Sequence, residues 1–133
     1  FMPGARWSRR PKRQRTATEH EIQCAFFKWV SWKFKHLPEL ALLYAIPNQG
    51  GKGMDNIRRG RILVKEGMKK GVLDVHLPVR RGPFTSLYIE FKGPDGVMSK
   101  EQKAWSLALR KQGHMVALCR TWDSAAELCM EYL

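Results

Sequence analysis

The sequence contains few cysteines, few acidic residues and no long apolar run. Its three cysteines are an odd number, form no CxxC pair and have no histidine nearby at zinc-ligand spacing. This argues against a disulfide framework and a structural zinc site. No apolar stretch approaches the roughly 18–20 residues that a transmembrane helix needs, and the basic N-terminal segment lacks the apolar centre of a secretory signal. These absences predict a cytoplasmic protein, and a length of 133 residues predicts one main domain.

Basic side chains outnumber acidic ones two to one. The chain has 24 lysines and arginines against 12 aspartates and glutamates, a formal net charge of +12, and its isoelectric point is about 10.1. This excess creates a long-range field that attracts polyanions. Nucleic acid is therefore the expected partner. An anionic membrane surface is a weaker alternative, because the apolar residues are patterned as a core rather than as one exposed face.

Half of the net charge lies at the start of the chain. Residues 1–18 contain six basic residues and no acid, together with two prolines and no helical or strand periodicity. We interpret residues 1–17 as a flexible basic arm and residues 18–133 as the folded domain. The arm either contacts DNA, through residues such as Arg13 and Arg15, or is a solvated tail.

Periodicity, caps and chain breaks predict eight elements in the order α-β-α-β-β-α-β-α. They cover residues 18–36, 42–46, 54–67, 72–79, 86–91, 99–112, 115–119 and 123–133. Thr18 and Glu21 have the spacing of a capping box, as do Thr16 and Glu19, and Asp123 is the expected cap of the last helix. The pattern predicts a mixed α/β domain with a small central sheet of about four strands and helices on its faces.

Two carboxylates and a lysine are predicted to meet on one hairpin. Glu90 and Lys92 are two residues apart on a strand and so share a face, and Asp74 lies on the preceding strand. If the hairpin is symmetric about Gly82, position 74 lies opposite position 90, with Cβ atoms about 5 Å apart. Carboxylates this close repel unless a proton or cation lies between them, and a hard divalent cation leaves room for phosphate and water. Lys92 could then position water or neutralise phosphate charge. The alternative is an ordinary surface cluster of cross-strand charges.

Glu19 is a third acid that could serve this site. On a helical wheel it lies within the inward stripe of the first helix, near Ile22, whereas Glu21 lies outside the stripe. A buried carboxylate needs a partner, and a metal shared with Asp74 and Glu90 would supply one. The alternative is that Glu19 only stabilises the helix N-terminus through the helix dipole.

The chain resembles the PD-(D/E)XK nuclease superfamily in the D…(D/E)xK pattern of Asp74, Glu90 and Lys92, followed by a helix with Gln102 in a capping-box position. More closely it resembles a stand-alone, phage-like VRR-NUC domain (virus-type replication-repair nuclease). The matching stretches are residues 18–23, 46–51, 67–74, 88–94 and 98–105. They occur in the family's order and extend from residue 18 to about 120. Leu73 departs from the family, which usually has proline before the aspartate; we expect this to alter strand entry rather than metal binding.

The resemblance implies a restriction-endonuclease-like core and a phosphodiesterase that depends on Mg²⁺ or Mn²⁺. The implied metal ligands are Asp74, Glu90, the Phe91 carbonyl, and Glu19 directly or through water. By the same resemblance, Lys92 orients the attacking water, and Gln102 supports Lys92 or the water from the following helix.

Further residues are candidates for contact with DNA. Asn48 and Lys52 lie in a glycine-rich loop that matches a family position near the site; its backbone N–H groups could approach phosphate, or the loop is a plain connector. The predicted helix over residues 54–67 carries Arg58, Arg59 and Arg61, which either follow the phosphate backbone or form a solvated face.

The resemblance thus predicts a DNA endonuclease selective for branched DNA such as four-way (Holliday) junctions. It also implies a role in phage DNA repair, within the host bacterial cytoplasm, and a homodimer. Trp32 and Phe27 lie off the inward stripe of the first helix and contact either another element of the same domain or a partner. The alternative function is a non-catalytic DNA-binding module that retains the nuclease fold.

Overall fold

The computed structural model describes residues 15–47 and 54–133, without the side chains of residues 54–57 and 63. The elements are α1 (Glu19–Lys33), a 3₁₀-helix (Pro38–Leu42), β1 (Tyr44–Ala45), α2 (Met54–Lys65), β2 (Val75–Leu77), β3 (Leu87–Phe91), α3 (Lys100–Lys111), β4 (Met115–Cys119) and α4 (Trp122–Tyr132). The predicted order and the mixed α/β class are confirmed. None of the helices in these two ranges is both long and apolar enough to cross a membrane.

Two strands are shorter than predicted. The first was expected over residues 42–46, but Pro38 opens a 3₁₀-helix that includes residue 42, so β1 retains two residues. The second was expected over residues 72–79, but pairing between neighbouring strands is regular only from Val75 to Leu77. The elements exist as predicted. Their ends depend on contacts with other segments, which the local sequence pattern cannot predict.

The four strands form one mixed sheet in the order β1-β2-β3-β4. The first three strands are antiparallel, and β4 returns parallel to β3 after the α3 crossover. In the hairpin, Val75 pairs with Ile89 and Leu77 with Leu87. Continued by one residue, this register sets position 74 opposite position 90, which confirms the symmetric pairing about Gly82.

The main core lies on the face of the sheet that α1 and α4 cover. Ile22, Phe26 and Val30 are the buried residues of α1, at the predicted helical spacing. The ring of Phe26 packs against Phe91 of β3, with centroids 5.4 Å apart. Because side chains alternate along a strand, even-numbered residues of β2 and β3 point to the opposite face, where α3 packs on β4. The acidic pair lies on that second face.

Helix caps follow the sequence in two helices and differ in a third. Thr18 accepts a hydrogen bond from the Glu21 backbone N–H at the start of α1, and Ser99 and Gln102 form a reciprocal capping box on α3. The expected cap of α4 at Asp123 is wrong. Thr121 has the extended backbone of an N-cap and accepts from the Ser124 N–H.

The backbone at Gly71 packs closely against the first turn of α3. Its φ is +86°, and a Cβ added there would lie 2.5 Å from Glu101 Cβ and 2.7 Å from the Glu101 carbonyl carbon in the first turn of α3. Gly67 has a φ of +101° with nothing within 4 Å of an added Cβ, so it provides a matched control for backbone strain alone.

We expect Gly71→Ala to lower the free energy of unfolding by about 2–5 kcal/mol, because it adds overpacking to left-handed backbone strain. Gly67→Ala is expected to lower it by about 1–2 kcal/mol, from strain alone. Urea unfolding of the two variants measures the difference. Equal losses would show that α3 does not pack on this segment as described.

Candidate functional site

The predicted carboxylates meet at the end of the β2–β3 hairpin. Asp74 and Glu90 are 8% and 1% exposed. The Phe91 backbone N–H donates to Asp74 Oδ2 at 2.7 Å, and the Asp74 backbone N–H donates to Glu90 Oε2 at 3.2 Å. Each carboxylate is therefore held by backbone of the opposite strand, which rigid strand pairing keeps in place.

The other oxygen of Glu90 contacts the remaining predicted residues. The Gln102 side-chain amide donates to Glu90 Oε1 at 2.7 Å, and Lys92 Nζ lies 3.5 Å from the same atom. Gln102 Oε1 accepts from the Ser99 backbone N–H, so one side chain both caps α3 and contacts the site. The structure thus brings Asp74, Glu90, Lys92 and Gln102 together, with Gln102 on Glu90 rather than on Lys92.

Burial makes Glu90 an unusual carboxyl group. Desolvation, and then the negative charge of Asp74, raise the pKa of Glu90 to about 7, while Lys92 opposes the shift. Near neutral pH the Asp74–Glu90 pair therefore retains a proton. A cation bound there in addition to Lys92 would stabilise the form in which both carboxyl groups are charged. The donor chemistry fits a hard divalent cation, because Mg²⁺ is commonly bound by one or two carboxylates and keeps several waters.

The raised pKa of Glu90 predicts how metal-free protein responds to pH. Between the ordinary value of 4.5 and about 7 the folded chain binds more protons than the unfolded chain. The free energy of unfolding therefore falls as pH rises through this window, by on the order of 1–3 kcal/mol. Denaturant unfolding in chelator, across this pH range, measures the slope. Glu90→Gln should flatten it, and an unchanged slope in that variant would assign the dependence to other groups.

Glu19 lies beside the site but is not buried. Its residue is exposed, because the inward stripe of α1 is buried only from Ile22 onward; the expectation of a buried Glu19 is therefore wrong. A Cβ added at Gly96 would lie 3.4 Å from Glu19 Oε1 and 3.3 Å from Lys92 Cβ, so Glu19 faces the segment that follows Lys92. Across the two described ranges, no three His, Cys, Asp or Glu side chains are grouped so that they could hold a metal ion.

Glu21 has a different partner. Its carboxylate accepts from Arg15 Nη2 at 3.0 and 3.1 Å, in an exposed pair that contributes little to stability. Glu21 does not complete the capping box, and Glu19 is the acid of α1 whose carboxylate lies near Gly96. Of the arm residues 15–17 that the structure describes, Arg15 has a side-chain hydrogen bond to the domain.

Arg120 is a residue that sequence reasoning missed. Its Nη1 lies 2.6, 3.2 and 2.8 Å from the carbonyl oxygens of Gly93, Pro94 and Gly96, to which it donates. It therefore braces the loop between Lys92 and α3. No local motif marks this role, because Arg120 is 24 to 27 residues distant and approaches the loop only through the parallel pairing of β4 with β3.

The predicted DNA-contacting residues are only partly described. Arg58, Arg59 and Arg61 are exposed on α2. Asn48, Lys52 and Arg13 lie outside the described residues, as does the basic arm up to residue 14. Phe27 is half-buried against the core and its ring contacts Phe26, whereas Trp32 is 63% exposed.

Comparison with known proteins identifies the family and supports the fold. A family model, the VRR-NUC domain, matches residues 54–122, just over half the chain; the match contains Asp74, Glu90, Lys92 and Gln102 and leaves out Glu19. A solved structure described as a VRR_NUC domain protein is 22% identical, with a TM-score of 0.71 over 89% of each chain, which shows the same fold. No curated protein matches significantly.

Proposed function

Because the chain belongs to the VRR-NUC domain family, whose members are generally nucleases, we propose that it hydrolyses DNA phosphodiester bonds in a reaction that depends on Mg²⁺ or Mn²⁺. The observation that carries the proposal is the buried Asp74–Glu90 pair with Lys92 beside it. A nuclease needs an oriented water and relief of the charge that develops on the phosphate. These three side chains are the group in the described structure whose chemistry meets both needs.

Asp74 and Glu90 hold the cation in this proposal, with the Phe91 carbonyl as a further oxygen ligand and Glu19 acting through water, since Glu19 is not grouped with the pair closely enough to bind the same ion directly. Bound there, the cation supplies Lewis-acid polarisation of the phosphate and lowers the pKa of water. Lys92 orients the water or neutralises the phosphate. Gln102 keeps Glu90 in position from α3, since it donates to Oε1 at 2.7 Å.

Attraction to DNA comes from the rest of the surface. The net charge of +12 supports binding of the phosphate backbone. Arg58, Arg59 and Arg61 of α2 are the described candidates for that contact. Arg13, Arg15 and the loop with Asn48 and Lys52 are proposed to add to it.

The proposed substrate is branched DNA such as a four-way junction, cut by a homodimer in a reducing bacterial cytoplasm. A two-fold dimer presents two active sites to a symmetric junction. Trp32, which is 63% exposed on α1, is the described apolar side chain that we propose for a partner surface. Light scattering at micromolar concentration, with and without DNA, measures the subunit count.

A panel of flap, splayed, four-way and linear DNAs, each with Mg²⁺, Mn²⁺ or chelator, tests the proposal. We expect cleavage only with a divalent cation and fastest on the four-way substrate. Equal cleavage of all four DNAs would refute the preference for branched DNA but would still support the nuclease function. Binding without cleavage in any metal would leave the non-catalytic DNA-binding module as the function.

A further inference from the structure

A second row of side chains crosses the sheet next to the carboxylate pair. Strand pairing aligns Tyr44 of β1 with His76 of β2, and His76 with Tyr88 of β3. The row lies on the same face as Asp74 and Glu90, because these residues are two positions away on β2 and β3. Two residues of a strand span about 7 Å, the length of about two nucleotides of a DNA strand at about 3.4 Å each, and Tyr44 is one further strand, about 4.8 Å, away from β2.

Hydrogen bonds and stacking fix the rings of this row. The Tyr44 hydroxyl and His76 Nδ1 are 2.8 Å apart, His76 Nε2 and Ser86 Oγ are 2.9 Å apart, and Ser86 Oγ and His114 Nδ1 are 2.6 Å apart. The His76 ring stacks on Tyr88 with centroids 4.1 Å apart and an interplanar angle of 14°. With both imidazoles neutral, the Tyr44 hydroxyl donates to His76 Nδ1, His76 Nε2–H donates to Ser86 Oγ, and the Ser86 hydroxyl donates to His114 Nδ1. The array is therefore ordered before any ligand arrives.

Tyr44 ends this array at the surface. It is 48% exposed, and its ring meets His76 edge-on, with centroids 5.4 Å apart. An aromatic ring held rigidly and left open beside a nuclease site suits stacking with a nucleobase, since every base has a π-face. No Asp or Glu side chain belongs to the array to repel the DNA backbone.

We propose that Tyr44, braced by His76, is a stacking site for an unpaired nucleobase within a few nucleotides of the scissile phosphate. The inference rests on the proposed nuclease function and narrows its substrate: a base reaches Tyr44 only after it has left the duplex stack. DNA with an unstacked nucleotide beside the cut, as at a branch, is then preferred over continuous duplex. The position of Tyr44 on the same face of the sheet as the carboxylates, one strand away from Asp74, and the basic charge of the chain select DNA as the occupant of this face.

The test compares Tyr44→Ala, Tyr44→Phe and Phe34→Ala on a substrate whose cleavage position has been mapped. Phe34, 41% exposed at the end of α1, is a control ring of similar exposure. Removing a stacked ring is expected to raise KM about 5- to 150-fold with little change in kcat. Tyr44→Phe keeps the stacking ring but loses the hydrogen bond to His76 Nδ1, so its KM should rise only about twofold to fivefold, and Phe34→Ala should retain wild-type KM. Tyr44→Leu serves as a second apolar replacement without a ring if Tyr44→Ala does not fold.

An abasic nucleotide scanned across the cut site identifies the stacked base. One position should weaken wild-type binding and cleavage by the same factor as Tyr44→Ala, and the variant should be insensitive to that position. If no position couples to Tyr44, or if Tyr44→Phe is as weak as Tyr44→Ala, the stacking site is refuted.

Single-stranded oligonucleotides about eight nucleotides long, within the span of single-strand sites and with one abasic position scanned along them, are also titrated in EDTA by fluorescence anisotropy with the wild type and Tyr44→Ala. Coupling in EDTA with no cleavage in any metal would refute the nuclease and retain the stacking site. Cleavage without coupling between an abasic position and Tyr44 would refute the stacking site and retain the nuclease function.

Discussion

Asp74→Ala and Glu90→Ala are each expected to reduce divalent-dependent DNA cleavage by at least about a thousandfold. Each removes an oxygen ligand from a pair in which both carboxylates are fixed by backbone of the opposite strand. A thousandfold lower cleavage rate corresponds to a loss of several kcal/mol of transition-state stabilisation, because each tenfold change in rate is about 1.4 kcal/mol. Initial rates on the preferred DNA, with Mg²⁺ and with Mn²⁺, measure it.

Two comparisons separate this result from a general loss of folding or binding. Glu101→Gln, an acidic residue of α3 that pairs with Lys70 rather than with the site, should leave the rate unchanged. Affinity for DNA in chelator should survive in both alanine variants, or rise, because negative charge near the phosphates is removed. Wild-type cleavage by Glu90→Ala, in a preparation free of host nucleases, would place the catalytic site elsewhere.

Lys92→Ala is expected to lower kcat about 100- to 1,000-fold while leaving metal binding largely intact. Lys92 Nζ is 3.5 Å from Glu90 Oε1, and the side chain is largely buried, so its charge acts within the site without being a ligand. Lys92→Arg retains the charge and should recover part of the rate. Single-turnover cleavage gives the rate, and Mn²⁺ titration of the same variants gives the affinity.

A loss of Mn²⁺ affinity as large as the loss of rate would contradict this role for Lys92. A modest weakening near neutral pH is consistent with it. Lys92 lowers the pKa of Glu90, so its removal leaves more of that carboxyl protonated and in competition with the cation.

The carboxylate pair could be predicted because it depends on local geometry. Alternation along a strand places Glu90 and Lys92 on one face, and the midpoint of the hairpin at Gly82 sets position 74 opposite position 90. Regular antiparallel pairing preserves this register in the structure. The capping-box spacing of Ser99 and Gln102 fixed the start of α3, and that start is what brings Gln102 to Glu90.

Contacts between distant segments could not be predicted in the same way. Arg120 reaches the loop after Lys92 only because β4 lies parallel to β3. The alignment of Tyr44 with His76 depends on a two-residue strand that periodicity cannot locate. The helical wheel placed Glu19 within the inward stripe, but it could not show that this stripe becomes buried only at Ile22. Each of these features depends on tertiary packing rather than on local pattern.

The most direct test of the central claim, that Asp74 and Glu90 form a metal site, is the binding of Mn²⁺ to purified protein without DNA. The electron paramagnetic resonance signal of free Mn²⁺ falls as the ion binds, so titration gives affinity without reliance on catalysis. The account predicts saturable binding by the wild-type chain at neutral pH, lost in Asp74→Ala and in Glu90→Ala and retained in Glu101→Gln. Equal binding by all four proteins would contradict it.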